Sequence, residues 1–395
     1  MQYLRRRDFL IGSGLAALGA CAPRIAGPGA EASTPVPSGA AARWAPYADG
    51  ITIDGAAGLF FFFDDTMTAE DNAAMMASEF AAAKASGLSA VVMTVGPAGR
   101  FWLTDEAFEK NKRDVAAWKA KVLAHPDDLV FVERAADLEA ARRARKLGIV
   151  FTFQGTEPLG EDASRITMFR EMGVRVIQLT HNRRNLVGDG CMEPSQAGLS
   201  RLGYEVVERL NAERIVVDVA HGATRTMHDG IVASKRPMLI SHTGCRALAD
   251  LPRCTPDAEL RLLADRGGVA GMILWPYLRT DRQPMAIDLI RHIEHAVNVA
   301  GEDHVGIGSD TGVAPVERTP AFEKENRETV ADMVQQGVFD KGRPADLYMF
   351  LPDLNVANRY EIIGAMLKAR GHSDARIAKI LGGNFARVMR EVWGG

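Results

Sequence analysis

A chain of 395 residues with a net charge of −3 offers no electrostatic footprint for nucleic acid, and no basic or aromatic-interleaved patch supplies one. Its four cysteines include no Cys-x-x-Cys pair, which argues against a zinc–cysteine module. Length alone would permit two domains, but only one linker-like stretch is visible, and it lies near the N-terminus.

The first 21 residues read as a targeting segment and are set aside from the fold. Arg5-Arg-Arg-Asp-Phe-Leu10 is a twin-arginine export address, followed by a Gly/Ala/Leu run shorter than the roughly 20 apolar residues of a membrane-spanning helix. Leu18-Gly-Ala-Cys21 has the form of a lipobox, so a membrane-anchored periplasmic lipoprotein is expected; a plain cleaved signal with an incidental Cys21 is the alternative. Residues 22–45 are rich in Ala, Pro, Gly and Ser, and such a segment buries too little surface to offset chain entropy. They read as a flexible tether. Residues 46–395 then form the folded domain.

In chain order the strand-length apolar runs are Ile51–Asp54, Ala90–Val95, Ile149–Gln154, Val174–Thr180, Ile215–Val219, Pro237–Ser241, Val269–Trp275 and Val305–Ser309. They are continuously apolar instead of alternating, as parallel strands covered on both faces must be. Amphipathic helical patterns such as Asp137–Lys146, Gly203–Asn211 and Ile287–Ala300 separate them. Eight strand–helix units predict an α/β fold, a (β/α)8 TIM barrel; a doubly wound open sheet is the alternative, but no Gly-rich phosphate loop follows any strand. The tail from Asn358 is helical in pattern, with Glu361–Ala369 stopping at Gly371 and Ser373 capping the next helix at Asp374. These helices are expected across the barrel's bottom or side.

In such a barrel the chemistry sits at the C-terminal strand ends. The polar residues there are Asp54, Gln154, His181, His221, His242 and Asp310. Each histidine alone also reads as a hydrogen-bonded core imidazole. Two histidines ending adjacent strands, with a carboxylate ending the last, favour a metal site.

The runs Leu179-Thr-His-Asn182 with Asn185, Asp218-Val-Ala-His221, Ser241-His242, Pro252-Arg253, Gly306-Ile-Gly-Ser-Asp310 and Leu381-Gly-Gly-Asn-Phe385 resemble the membrane dipeptidase family (renal dipeptidase, peptidase family M19). The resemblance covers most of residues 50–393. It implies an amidohydrolase-like barrel in which two zinc ions are bridged by a glutamate and a hydroxide. It places His221 and His242 on one zinc and Asp310 at the other, where Asp310 also handles the proton. It gives His181 to polarisation of the substrate and Arg253 to its terminal carboxylate; Trp275 is expected in the same substrate pocket.

Three family ligands are missing. The His-x-Asp pair of the first strand is replaced by Ala56 and Gly58, and the bridging glutamate by Gln154. Two divalent ions ~3.5 Å apart repel by roughly 19 kcal/mol even at an effective dielectric of about 20. One carboxylate, Asp310, does not offset that. At most one Zn2+ is expected, held by His221, His242 and an oxygen of Asp310 or Gln154, with a metal-free pocket as the alternative. Glu157, Asp54 and Asp64 are acids placed to rebuild part of the shell. The expected activity is hydrolysis of a dipeptide or similar small amide at the cell envelope. The competing readings are a silent or repurposed barrel that binds a peptide-like ligand, and isomerisation or elimination by His221, His242 and Asp310 without metal. A homodimer is consistent with the family. Cys245 and Cys254 are candidates to bridge, with Cys191 left free.

Overall fold

A computed structural model describes residues 44–59, 68–96, 106–339 and 342–394. The export segment, Asp64 and all of the tether except Trp44 and Ala45 lie outside the described residues. Trp44, expected in the tether, is part of the folded body: it is buried, and its indole Nε1 donates to Asp374 Oδ1 at 2.8 Å.

The strands are β1 (Ile53–Asp54), β2 (Ala57–Gly58), β3 (Ala90–Thr94), β4 (Leu129–Phe131), β5 (Leu147–Phe153), β6 (Val174–Gln178), β7 (Val216–Asp218), β8 (Leu239–Thr243), β9 (Val269–Met272), β10 (Val305–Ile307) and β11 (Thr311–Gly312). Eight of them close a parallel barrel in the order β3-β1-β10-β9-β8-β7-β6-β5, with β5 pairing back to β3. This is the α/β barrel expected from the alternation of apolar runs and helices. Two additions were not legible in the sequence. β4 pairs with Leu147–Ile149 of β5, below the stretch of β5 that pairs with β6. β2 and β11 form a small parallel ladder above β1 and β10.

The helices that cover the barrel begin on side-chain caps. Ser200 accepts from the Gly203 amide at 3.1 Å before Arg201–Ala212, and Ser373 from the Arg376 amide at 3.2 Å before Asp374–Ala378. Each cap satisfies one amide that the helix itself leaves unpaired, and is worth about 1 kcal/mol.

The barrel interior is filled near its N-terminal end by Ile53, Ala90, Val92, Val150, Val176, Val216, Leu239 and Val269. The terminal helix Asn384–Trp393 closes that floor, adding Phe385, Val388, Met389 and Val392 to the same cluster. Phe385 fits because Gly55, just after β1, and Gly306, in β10, lack side chains: a Cβ on either would stand 2.4 Å from its ring. With the floor plugged by apolar side chains, the opposite, C-terminal end of the strands is left for polar groups. Among the described residues no helix is long and apolar enough to cross a membrane.

Candidate active site

Four of the predicted residues meet at that end. His181 follows β6, His221 follows β7, His242 lies within β8, and Asp310 sits between β10 and β11. His221 and Asp310 both occupy the left-handed region, with φ of 60° and 58°. For a residue with a Cβ this conformation costs roughly 1–2 kcal/mol and persists where surrounding contacts enforce it. Those contacts are the Cys191 amide on the His221 carbonyl (2.7 Å) and the Asp310 amide on the Ala56 carbonyl (2.7 Å).

The three imidazoles form one cluster. His181 stacks on His221 with ring centroids 4.1 Å apart, and His221 Nε2 lies 2.8 Å from His242 Nε2. The surrounding hydrogen bonds assign the tautomers. The Ser241 hydroxyl donates to Asp218 Oδ2 at 2.5 Å, so its oxygen accepts from His242 Nδ1 at 2.8 Å. His221 Nδ1 donates to Asn182 Oδ1 at 2.7 Å. Both Nε2 atoms therefore carry lone pairs, and the two lone pairs face each other. Burial lowers the pKa of all three rings, helped by the nearby Arg253 guanidinium; His181 falls to about 3, so the rings are neutral near pH 7.

Asp310 Oδ2 stands 4.0 Å from His242 Nε2. Burial raises its carboxyl to about 6, with Arg253 opposing and Asp54 adding to the shift. Asp54 does not line the pocket as a spare ligand. It is fully buried, accepts from the Ala56 and Ser309 amides at 2.9 Å each, and takes the Tyr360 hydroxyl at 2.5 Å. Its oxygens are committed to holding β1 against β10.

Arg253 is 5% exposed, yet among the described residues its Nε and Nη2 have no hydrogen-bond partner. A buried guanidinium left this way needs an acceptor from outside the chain. Its carbon lies 5.9 Å from the centre of the Tyr277 ring, which stacks on Trp275; the Trp275 indole donates to the Asp310 carbonyl at 2.5 Å. Trp275 therefore braces the Asp310 turn as well as walling the pocket.

Gln154 follows the last residue of β5, and its carbonyl accepts from Gln178 Nε2 at 3.3 Å. Glu157 turns away to Asn185, whose Nδ2 donates to it at 3.3 Å. The three described cysteines are free and buried; Cys245 and Cys254 are not bridged, their thiols turning to the His292 and Tyr277 carbonyls.

Asn182, Asp218, Ser241 and Tyr277 gained functional roles only here. The signal was present for Asp218 and Ser241, polar residues three and one positions before a predicted ligand. What they orient could not be read without the fold.

The sequence profile of the membrane dipeptidase family, peptidase family M19, matches residues 48–327. The chain belongs to that family. Dipeptidase tcpJ of Claviceps purpurea is 28% identical over 68% of this chain and 56% of its own length; dipeptidase verJ of Clonostachys rogersoniana is 27% identical over 68% and 61%. The chain thus spans less than two thirds of these relatives. An amidohydrolase structure from Pseudomonas aeruginosa, 27% identical, superimposes with a TM-score of 0.71 over 88% of this chain and 98% of the other.

Membrane dipeptidases are metal-dependent, so the residues present can be tested for fit. A two-metal centre does not fit. Ala56 and Gly58 have no side-chain donor, and their carbonyls already accept from the Asp310 and Val313 amides. Gln154 is neutral. Among the described residues no group of three His, Cys, Asp or Glu side chains is arranged to hold an ion. A single ion fits better: two imidazole lone pairs converge, and each ring's other nitrogen is tied to a hydrogen-bond acceptor, as metal-binding histidines require.

Proposed function

We propose that this protein is a dipeptidase-type hydrolase with a one-metal site, cutting a dipeptide or similar small amide at the cell envelope. The observation that carries the reading is the pair of facing Nε2 lone pairs beside an unpaired, buried guanidinium. His221 and His242 would hold one Zn2+, with Asp310 the nearest carboxylate. An ion there would supply Lewis-acid polarisation of the scissile carbonyl.

The chain's own residues do the rest. Arg253 grips the substrate's terminal carboxylate through its two free nitrogens, a charge-assisted fork. His181, neutral, donates a hydrogen bond to the carbonyl oxygen as charge develops there. Asp310, with a carboxyl near 6, is ionised at neutral pH and basic enough to take a proton from water and return it to the leaving amine. The envelope location is supported by the twin arginine and Cys21 in the sequence.

The absence of a three-ligand group among the described residues favours a second reading: a barrel that binds a peptide-like ligand without turning it over. A panel of L,L- and L,D-dipeptides, with and without chelator, separates the two. Turnover lost to chelator and restored by one equivalent of zinc supports the hydrolase. Full turnover in excess chelator overturns its metal part. Dipeptide binding without turnover transfers the case to the binder.

A further inference from the structure

The barrel's other end carries a cavity of about 470 Å³, lined by Phe131, Glu133, Arg170, Arg175, Arg214 and Trp393 together with Arg134 and Asp137. Arg170 lies in the last turn of the helix Arg165–Glu171, just before β6, and Arg214 immediately precedes Ile215 and β7. The cavity therefore lies at the N-terminal strand ends, away from His221 and His242.

Its charges do not cancel. Asp137 is matched by Arg134 at 3.1 Å and by the Glu133 and Arg134 amides at 3.0 and 2.9 Å. Glu133 lies 3.2 Å from Lys119 and 3.7 Å from Arg175. Both carboxylates are thus accounted for. Arg175 is buried and spends its Nε and Nη1 on the carbonyls of Glu133, Arg170 and Val174, so its work is structural. Among the described residues two cations remain. There Arg170 spends Nε alone, on the Glu213 carbonyl at 2.7 Å. Among the described residues the Arg214 guanidinium makes no hydrogen bond or ion pair, although the residue is held at a φ of 55° beside Gly394.

We propose that this floor cavity is an anion site, built by Arg170 and Arg214, for a small phosphate monoester. Arg170, on the helix Arg165–Glu171, and Arg214, in the connection before β7, bring two guanidiniums to one cavity. A phosphate monoester, nearly dianionic at neutral pH and with three terminal oxygens, matches two guanidiniums in charge, whereas a carboxylate brings a single negative charge. A cavity of this size holds more than bare phosphate, and Phe131 and Trp393 give the ester's organic part an apolar wall. The phosphate can come from a soluble metabolite or from the headgroup of phosphatidic acid.

The test is thermal melting of the folded chain, without its export segment, against inorganic phosphate, with sodium chloride at matched ionic strength as control. A parallel arm measures binding to phosphatidylcholine vesicles with and without phosphatidic acid. The expected result is a saturable rise in Tm with phosphate that needs at least tenfold more phosphate in the Arg170→Ala/Arg214→Ala double variant. Arg253→Ala keeps the wild-type response, which separates this cavity from the substrate pocket. Phosphate response without vesicle binding assigns a soluble ester, and vesicle binding that needs phosphatidic acid and both arginines assigns the lipid. A response equal in sodium chloride, or unchanged in the double variant, with no arginine-dependent vesicle binding, overturns the proposal.

Discussion

Replacing Glu157 by glutamine should stabilise the protein above neutral pH. The residue lies on the turn Glu157–Leu159 just beyond β5, and burial pushes its carboxyl from 4.5 up to about 7, against its own backbone amide and Asn185. Glutamine keeps an oxygen for the Asn185 Nδ2 donor and removes the charge. Because the folded-state pKa is raised for an acid, the folded chain holds a proton between pH 4.5 and 7 that the unfolded chain releases. Stability therefore falls as pH rises through that window and is flat above it. At 1.36 kcal/mol per pKa unit the ceiling on the loss is about 3 kcal/mol. The side chain keeps some contact with solvent, so a gain of about 1–2 kcal/mol is expected for Glu157→Gln at pH 8, with a much smaller one at pH 5. Urea denaturation of both proteins at the two pH values measures it, and every other titrating group cancels in the comparison. A difference between them that does not change with pH would refute the burial of an ionisable carboxyl here.

Elemental analysis of the purified mature protein should find at most one zinc per chain and none in His221→Ala; two tightly held ions would show that the replacement ligands have been misjudged. Arg253→Ala should lower kcat/KM for free-carboxylate dipeptides by about 100-fold through KM, as expected for losing charge-assisted bonds worth about 1.5–3 kcal/mol. Arg253→Lys should recover part of that, and substrates capped as C-terminal amides should not respond. Gly308→Ala should cost about 3 kcal/mol or prevent folding, since its Cβ would stand 1.9 Å from the Ser241 carbonyl oxygen across the barrel wall. Chemical denaturation, or failure of soluble expression, reads this out.

The barrel was legible in the sequence because its strands are buried on both faces. Val174 to Gln178 and Val269 to Met272 are apolar enough to announce themselves, apart from Arg175, whose guanidinium turns to carbonyls at the rim. Strand ends were less so: the runs expected to reach Thr180 and Trp275 stop earlier, where the chain leaves the ladder to form site loops. β4 escaped notice because three residues with two half-exposed positions have no periodicity to detect. At the site, residue types found the histidines, Asp310 and Arg253. They could not show that Asp54 is spent on Tyr360 and two amides, because that depends on a contact across 306 positions of sequence. Nor could they assign the imidazole tautomers, which rest on Ser241 and Asn182.

Phe385 fills the barrel floor through the space left by Gly55 and Gly306, so the first and last parts of the chain complete one core together. Synthesis runs from the N-terminus, so all the described strands are made before Asn384–Trp393. The barrel floor therefore cannot seal until Asn384–Trp393 has been made, and a change that removes this helix uncovers the apolar ends of strands laid down hundreds of residues earlier.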